Sequence, residues 1–464
     1  MSVIMVNRLM GLPDEVISHI FKEPRNIMIR GYAGAGKTIF ALNIFQYILS
    51  KGGIAYYLVT MMSKKKFLSI FPWLKEYERY ILDFESLKLD LIKKLGLPIR
   101  DYESVRALFY EISSAKKYPK VFIVDSIDYL KYKLEVKEND ITLEEFLLLF
   151  SSEERISLIF LKEEPNESPL DSMMDDVITL KKKYIRGRVY REIIFDRIYG
   201  ELLPKNVYPF SLIEHKFYHF REIYPVPSIS KIEKKEIKGE KVPTLIPELD
   251  RILNGGYQRG SINLLYAGKN TRGYYRWIVV PSMANLLLNE IPVFILPSAG
   301  ASYSDVERWI MPLVGRELFE KYLYIFQPPP EDVWKKNIFR LFGKSFMEDY
   351  DIIMDNIKAI LKKLNSTFYG FFIGSDTLEN VYGANEFKKT FGFFARDLIV
   401  TNGVVFLIYK YGQKTAEILI NFANTHFRII NKNGNILVYG ESPVTPYYAL
   451  VVDDKGHSNL IPIR

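Results

Sequence analysis

The sequence predicts an α/β fold of two tandem domains, each a mainly parallel twisted sheet with helices on both faces and an antiparallel finish. Three observations support this prediction: a glycine-rich loop between a strand and a helix, an alternation of apolar strands with helical segments, and a partial repeat of that order in the second half. With 464 residues, 48% hydrophobic and 25% charged, the chain is long enough for two cores.

A phosphate-binding loop is the most specific motif in the chain. Residues 31–38 read GYAGAGKT and fit G-x-x-x-x-G-K-[ST] at every fixed position. An apolar run, 27–29, precedes the loop, and apolar residues at helical spacing follow it over 39–46. Glycines in such a loop let backbone N–H groups wrap a phosphate at a helix N-terminus. The predicted nucleotide-binding residues are Gly31, Gly34, Ala35, Gly36, Lys37 and Thr38.

A second apolar strand, 120–124, ends at Asp125, as a magnesium-binding strand of a nucleotide site should. We expect Lys37 to reach the β- and γ-phosphates, while Thr38 and Asp125 hold Mg²⁺ directly or through water. Asp128 is expected on a surface loop, with a catalytic role left open. ATP and Mg²⁺ are therefore the predicted cofactors.

The remaining elements of the first half follow an α/β order. The sequence predicts an early helix over 13–21, further strands over 54–60 and 156–161, and a helix over 140–150. Residues 64–118 carry mostly helical patterns, including 87–95 and 104–114. Strand patterns over 176–180 and 188–197 with a turn at 199–200 predict the antiparallel finish.

A linker separates the two halves. The segment opens with Pro225 and Pro227 and continues with mixed charges and no aromatic residue, which is typical of an exposed connection. We therefore predict a nucleotide-binding domain over 1–225, a linker over 226–243 and a second domain over 244–464.

The second domain repeats the loop but not its chemistry. Gly268 and Gly273 stand at the spacing of the outer glycines, whereas Tyr274 and Tyr275 take the places of the lysine and the hydroxyl residue. Matching residues 122–126 with 371–375 sets Gly374 opposite Asp125. The lysine, the hydroxyl and the acid are thus lost together, which indicates a fold kept for structure or contacts.

The chain resembles the KaiC-like branch of the RecA-type ATPases in its double-domain form. The residues that carry this resemblance are the loop 31–38, Val124-Asp125-Ser126, the stretch 186–191, and the run 245–257 with 259–261. The resemblance implies two RecA-like domains, ATP as the ligand and a homo-oligomeric ring with nucleotide at subunit interfaces.

Two departures from that family bear on hydrolysis. Members that hydrolyse ATP usually carry adjacent glutamates after the second strand, where this chain reads VTMMS over 59–63. The family also tends to place Lys-x-Arg-Gly near the domain end, where basic residues reach the neighbouring subunit's phosphate. Here Arg197 keeps one charge and Tyr199 replaces the other. A missing arginine finger costs about 10³–10⁵ in rate. Another carboxylate could serve as the base, with Asp128 and Glu103 considered first.

Composition excludes several classes of function. There is no cysteine, which removes disulfides, thiol catalysis and cysteine-bound zinc. His215 and His219 are spaced i, i+4, but their aromatic neighbours predict a strand rather than a metal site. The start lacks a signal-peptide layout and no apolar run could span a bilayer, so a cytoplasmic location is expected.

Three functions remain open from the sequence. The first is an ATP-binding switch or assembly scaffold that is at most a slow ATPase, the second a working KaiC-type motor or kinase, and the third a DNA-binding recombination accessory like the RadA paralogues. The net charge of +8 permits nucleic-acid contact, but no basic or glycine-rich DNA loop stands out. A protein partner is expected because the second domain lacks a ligand set of its own.

Overall fold

A computed structural model describes residues 11–84, 112–137, 140–223, 229–271, 273–329 and 335–464. The chain divides into two units, the first formed by Leu9–Arg221 with Ile463–Arg464 and the second by Glu222–Pro462. In the described ranges no helix is both long enough and apolar enough to cross a membrane.

The first unit alternates strands and helices and then continues as strands alone. Its elements in chain order are α1 (Asp14–Lys22), β1 (Asn26–Arg30), α2 (Lys37–Ser50), β2 (Ile54–Val59), α3 (Lys64–Ile70), β3 (Ile81–Asp83), β4 (Lys120–Asp125), α4 (Ile127–Lys133), α5 (Thr142–Glu153), β5 (Ser157–Lys162), β6 (Asp176–Ile185), β7 (Arg188–Ile198), β8 (Val207–Ile213) and β9 (Lys216–His219).

The sheet of the first unit has the order β3-β2-β4-β5-β1-β6-β7-β8-β9. The strands from β3 to β6 pair in parallel, and β6 to β9 pair antiparallel. Alternate residues of β1 and β2 enter two different cores: Ile29 and Tyr57 lie in one, Met28 and Leu58 in the other. Both faces of the sheet are therefore buried, as near-continuous apolar strands require.

The second unit repeats this design. Its elements are β10 (Lys241–Val242), α6 (Pro247–Ile252), β11 (Tyr257–Gln258), β12 (Ser261–Ala267), α7 (Arg276–Leu288), β13 (Val293–Leu296), α8 (Tyr303–Val314), α9 (Arg316–Tyr322), β14 (Leu323–Gln327), β15 (Ile338–Arg340), α10 (Phe346–Leu364), β16 (Tyr369–Gly374), α11 (Ser375–Tyr382), α12 (Ala384–Val400), β17 (Gly403–Lys410), α13 (Ala416–Phe422), β18 (Thr425–Lys432), β19 (Asn435–Ser442), β20 (Tyr448–Val452) and β21 (Ser458–Pro462).

Its main sheet runs β15-β14-β13-β16-β17-β12-β18-β19-β20-β21, parallel up to β18 and antiparallel afterwards. Strand β12 lies between β17 and β18, just as β1 lies between β5 and β6. Two apolar clusters again cover the two faces. The predicted fold class, two tandem RecA-like domains with antiparallel finishes, is confirmed.

Some predicted segments fall outside the described residues: the helix pattern 87–95, most of 104–114, Glu103, Pro225 and Pro227. The rest of the predicted linker is anchored to the second unit. The Lys235 backbone N–H donates to Asn285 Oδ1 at 2.9 Å, and its ammonium pairs with Asp250 at 2.8 Å. Ile229, Ile232 and Ile237 pack against the core of that unit. This stretch is mostly exposed but belongs to the second unit's surface.

Candidate functional site

The loop 31–38 joins the carboxyl end of β1 to α2, where the motif requires it to be. Close approaches of neighbouring atoms explain two of its glycines. A Cβ on Gly31 would lie 2.3 Å from the Leu180 carbonyl oxygen of β6, so no other residue fits there. Gly36 has a φ of 113°, and a Cβ would lie 3.0 Å from Leu212 Cδ1. Glycine at these two positions therefore lets the loop lie close to β6 and to the Leu212 side chain.

The side chain of Lys37 is folded back over this loop. Its ammonium donates to the Gly31 carbonyl at 2.6 Å, to the Tyr32 carbonyl at 3.3 Å and to Glu163 Oε2 at 2.9 Å. The residue is only 5% exposed. An ammonium has three donors, and all three have partners here.

Thr38 and Asp125 lie side by side, as predicted for a magnesium site. The Thr38 hydroxyl donates to Asp125 Oδ2 at 2.9 Å, and the buried Tyr57 hydroxyl donates to the same oxygen at 2.6 Å. Burial raises the pKa of the Asp125 carboxyl, and burial together with that carboxylate raises the pKa of Tyr57. The position of Tyr57 beneath Asp125 was not foreseen from the sequence.

Mg²⁺ fits this donor set. The ion prefers oxygen ligands and is usually bound through one or two carboxylates, water and substrate phosphates. One carboxylate and one hydroxyl provide that minimum. Within the described ranges no group of three or more His, Cys, Asp or Glu side chains is placed to hold a metal ion. Water and substrate phosphates would supply the remaining ligands of a metal held by Thr38 and Asp125.

The place after β2, where a catalytic carboxylate was sought, holds none. Thr60 donates its hydroxyl to the Asp125 carbonyl at 2.8 Å and accepts the Ser126 N–H at 2.7 Å, so it fixes the end of β4. Met61 follows and is 49% exposed, and Met62 packs on the core.

Asp128, which was considered first as a substitute base, already accepts a hydrogen bond from the backbone. Asp128 Oδ2 accepts the backbone N–H of Glu163 at 2.7 Å, so it secures the turn after β5.

Glu163, like Tyr57, is a residue of the candidate site that was not predicted from the sequence. It follows β5 directly, and β5 pairs with β1 in the register that sets Lys162 opposite Arg30. Carboxyl ends of parallel strands meet at one edge, so Glu163 lies beside the loop 31–38. The sequence feature that could have revealed Glu163 is the acidic pair at 163–164, which follows an apolar strand.

Arg197, predicted to reach a neighbouring subunit's phosphate, makes its contacts inside its own unit. Its guanidinium donates to the backbone carbonyls of Asp171 and Met174. Tyr199, two residues on, is 66% exposed. Arg197 therefore lies apart from the contacts that join Lys37, Thr38, Asp125 and Glu163.

In the second unit the same loop carries tyrosines. Tyr275 is 7% exposed, directly before α7, and Tyr274 packs on the neighbouring core. An open cleft of about 570 Å³ remains beside this loop, lined by Lys269, Arg276 and Lys410 among others. Lys410 is paired with Asp376 at 2.7 Å.

Strand register corrects the sequence match for the lost acid. In the first unit Asp125 pairs with Leu161, the residue before Lys162. Lys162 pairs with Arg30, the residue before Gly31, and in the second unit Lys410 pairs with Ala267, the residue before Gly268. Lys410 is therefore the counterpart of Lys162. Because Gly374 pairs with Ile408, two residues before Lys410, the counterpart of Asp125 is Ser375, one position beyond Gly374. A Cβ on Gly374 would lie 2.2 Å from Ser298 Cα, so that glycine is explained by close packing.

The comparisons with known proteins agree with this geometry. A sequence model of the family described as GvpD gas vesicle protein, P-loop domain, matches residues 18–196. This match indicates a P-loop ATPase family of the RecA type. Protein GvpD2 of Halobacterium salinarum is 25% identical over 477 residues, which cover 96% of this chain and 94% of the relative. Protein GvpD1 of the same organism is 23% identical over 507 residues, 92% and 91% respectively.

Circadian clock protein KaiC2 of Synechocystis is 26% identical over 282 residues, which cover 56% of this chain and 46% of that protein. The resemblance to KaiC-like ATPases is thus confirmed at the level of the P-loop, RecA-type family. The similarity to GvpD proteins is more specific and extends along nearly the whole chain, and the sequence motifs alone did not reveal it.

Proposed function

We propose that this protein binds ATP with Mg²⁺ in its first unit and acts as a nucleotide-dependent switch or assembly scaffold with weak or absent hydrolysis. The observation that carries the proposal is the contrast at one sheet edge. Lys37, Thr38 and Asp125 are brought together there, while the position after β2 holds Met61 and Met62.

Binding and hydrolysis make different demands. Binding needs the backbone cradle of 31–36, the ammonium of Lys37 on the β- and γ-phosphates, and the oxygens of Thr38 and Asp125 on Mg²⁺. Hydrolysis also needs a positioned base and donors aimed at the charge that develops in the transition state. Ground-state binding is therefore supported by more residues than transition-state stabilisation is.

The test is ATP turnover measured beside an ATP-binding isotherm on the same sample. We expect saturable binding, with turnover far below the enzyme median of roughly 10 s⁻¹. Restoring carboxylates with Met61→Glu and Met62→Glu should raise the rate if the side chains reach the γ-phosphate. Wild-type turnover at ordinary enzymatic rates, abolished by Lys37→Ala, would replace the switch with a motor.

A working ATPase is the second candidate, and the position of Glu163 is the observation that favours it. Glu163 is a carboxylate 2.9 Å from Lys37, whereas Asp128 is bonded to a backbone N–H. If turnover is found, Glu163 is the first residue to test as its base. A Glu163→Gln variant that binds ATP but loses that turnover would support this assignment.

The relatives supply a cellular setting for the switch. Two relatives that match along nearly their whole length are GvpD proteins, and the matching family is described as a gas vesicle protein. We propose that this chain serves in the same context, with a protein partner. A self-associated ring, with Arg197 reaching the neighbouring subunit's nucleotide, is part of the proposal. Light scattering should then show a mass of several chains with ATP, and a monomer with and without ATP would contradict it.

A further inference from the structure

Glu163 is the third hydrogen-bond partner of Lys37, the lysine on which the proposed nucleotide binding depends. Lys37 is almost fully buried, and its ammonium has Gly31, Tyr32 and Glu163 as its three partners. The two carbonyls belong to the loop itself. Glu163 is the charged partner, and its side chain is 33% exposed on the solvent side of the pair. A phosphate oxygen that approaches Lys37 from the solvent must therefore compete with this carboxylate.

The position of Glu163 is fixed from two sides. Strand β5 runs beside β1, with Lys162 opposite Arg30, and this register places the next residue at the edge where the loop 31–38 begins. The Glu163 N–H donates to Asp128 Oδ2 at 2.7 Å, which anchors the backbone while leaving the side chain able to turn. Glu164, the neighbouring residue, contacts Asn166 instead, at 3.1 Å.

The second unit lacks the lysine and the carboxylate together. The loop position of Lys37 is held by Tyr274, and the strand register that aligns Lys162 with Lys410 sets Tyr411 at the place of Glu163. Tyr411 is 64% exposed. The acid is thus present in the unit that has the lysine and absent in the unit that has lost it.

We propose that Glu163 is an internal anion that competes with the nucleotide's terminal phosphates for Lys37 and thereby determines nucleotide affinity. This inference rests on the proposed binding of ATP in the first unit. Two anions cannot share one ammonium without mutual repulsion, so the Glu163 side chain turns out into solvent when the nucleotide enters. Binding of the phosphates then releases the Glu163 side chain from Lys37 while Asp128 keeps its backbone in place.

The experiment compares Mg²⁺–ATP binding by calorimetry in wild type, Glu163→Gln and Glu164→Gln, with the full chain at one ionic strength. Glutamine keeps the shape of the side chain but removes the charge that holds the ammonium. We expect Glu163→Gln to bind ATP about 10-fold more tightly, because a charge-assisted hydrogen bond no longer has to be broken. Glu164→Gln, which removes the same charge one residue away, should stay within about 2-fold of wild type.

Circular dichroism is the check that each variant is folded, and Glu163→Asp provides a second variant that keeps the charge. Aspartate is one methylene shorter, so it should reach Lys37 poorly and also tighten binding. Unchanged or weaker binding in Glu163→Gln, beside a wild type that binds ATP, overturns the competition while leaving the proposed function intact. Equal tightening in Glu164→Gln also overturns it, since a general charge effect would then suffice. Absence of binding in all variants and wild type overturns both proposals.

Discussion

The loop after β1 and the loop after β12 occupy the same place in two sheets of the same design. Both begin with a glycine that the fold requires. A Cβ would lie 2.3 Å from the Leu180 carbonyl at Gly31 and 2.8 Å from the Ile429 carbonyl at Gly268. These carbonyls belong to β6 and β18, which are equivalent strands. The outer glycine is therefore kept for packing, and its presence alone does not indicate a ligand.

The ligand chemistry differs completely between the two loops. The first unit gathers an ammonium, a hydroxyl and two carboxylates, from Lys37, Thr38, Asp125 and Glu163. The corresponding positions of the second unit hold Tyr274, Tyr275, Ser375 and Tyr411. All four positions differ between the two units, which is expected if the four side chains of the first unit serve to bind a single ligand. We therefore expect substitutions at matched positions to have unequal effects.

The largest difference is expected between Lys37→Ala and Tyr274→Ala. Loss of the ammonium removes charge-assisted contacts worth about 1.5–3 kcal/mol, so ATP affinity should fall roughly 100-fold. Tyr274→Ala should leave affinity within about 2-fold, because the tyrosine is not expected to touch a nucleotide. Fluorescent-ATP titrations of both variants provide the measurement. Comparable losses in the two would mean that both loops bind.

The next effect concerns buried ionisable groups. The change of folding stability with pH that they cause has opposite signs in the two units. Burial raises the pKa of Asp176 to about 6 in the first unit, where Arg25 is 3.8 Å away and the Tyr199 N–H donates to it. Its stabilising contribution is present below the unfolded pKa near 4 and is lost as pH rises through about 6. The stability gain of Asp176→Asn over wild type should therefore grow with pH, by roughly 2–3 kcal/mol.

In the second unit, burial lowers the pKa of His426 to about 4, with Arg428 nearby acting in the same direction and Glu441 opposing it. Nε2 of the His426 ring and the Tyr409 hydroxyl share a hydrogen bond of 2.9 Å. Stability falls here as pH drops from about 6.5 to 4, because only the unfolded histidine gains a proton readily. The gain of His426→Gln over wild type should thus grow as pH falls. Urea denaturation at pH 4.5 and 7 checks both signs, and parallel trends would refute the assignment.

A smaller effect is expected for Mg²⁺. Asp125→Asn should weaken ATP binding about 10-fold in the presence of Mg²⁺ and little in its absence, since a carboxylate ligand is lost. Ser375→Ala, at the register-matched position of the second unit, should leave the Mg²⁺ dependence unchanged. Titrations with Mg²⁺ and with a chelator make the comparison. If the chelator does not affect wild type, Thr38 and Asp125 hold no metal that matters for binding.

What the sequence revealed depended on how local the information was. The loop 31–38 and its helix are determined by adjacent residues, so the places of Lys37 and Thr38 could be predicted from the sequence. Asp125 could be predicted as a site residue because an apolar strand ending in an acid is also a local pattern. Glu163 and Tyr57 were not found, because their positions depend on which strands are neighbours in the sheet. The match of Gly374 to Asp125 slipped by one residue, because residue similarity does not define the register that strand pairing sets.

The most direct test of nucleotide binding by the first unit alone is the stoichiometry of Mg²⁺–ATP binding to the full chain, measured by calorimetry in wild type and in Lys37→Ala. We predict one nucleotide per chain in wild type and no tight site in the variant, because only the first unit keeps the lysine, the hydroxyl and the acid. Two comparable sites per chain, or one site that survives in Lys37→Ala, would contradict this prediction.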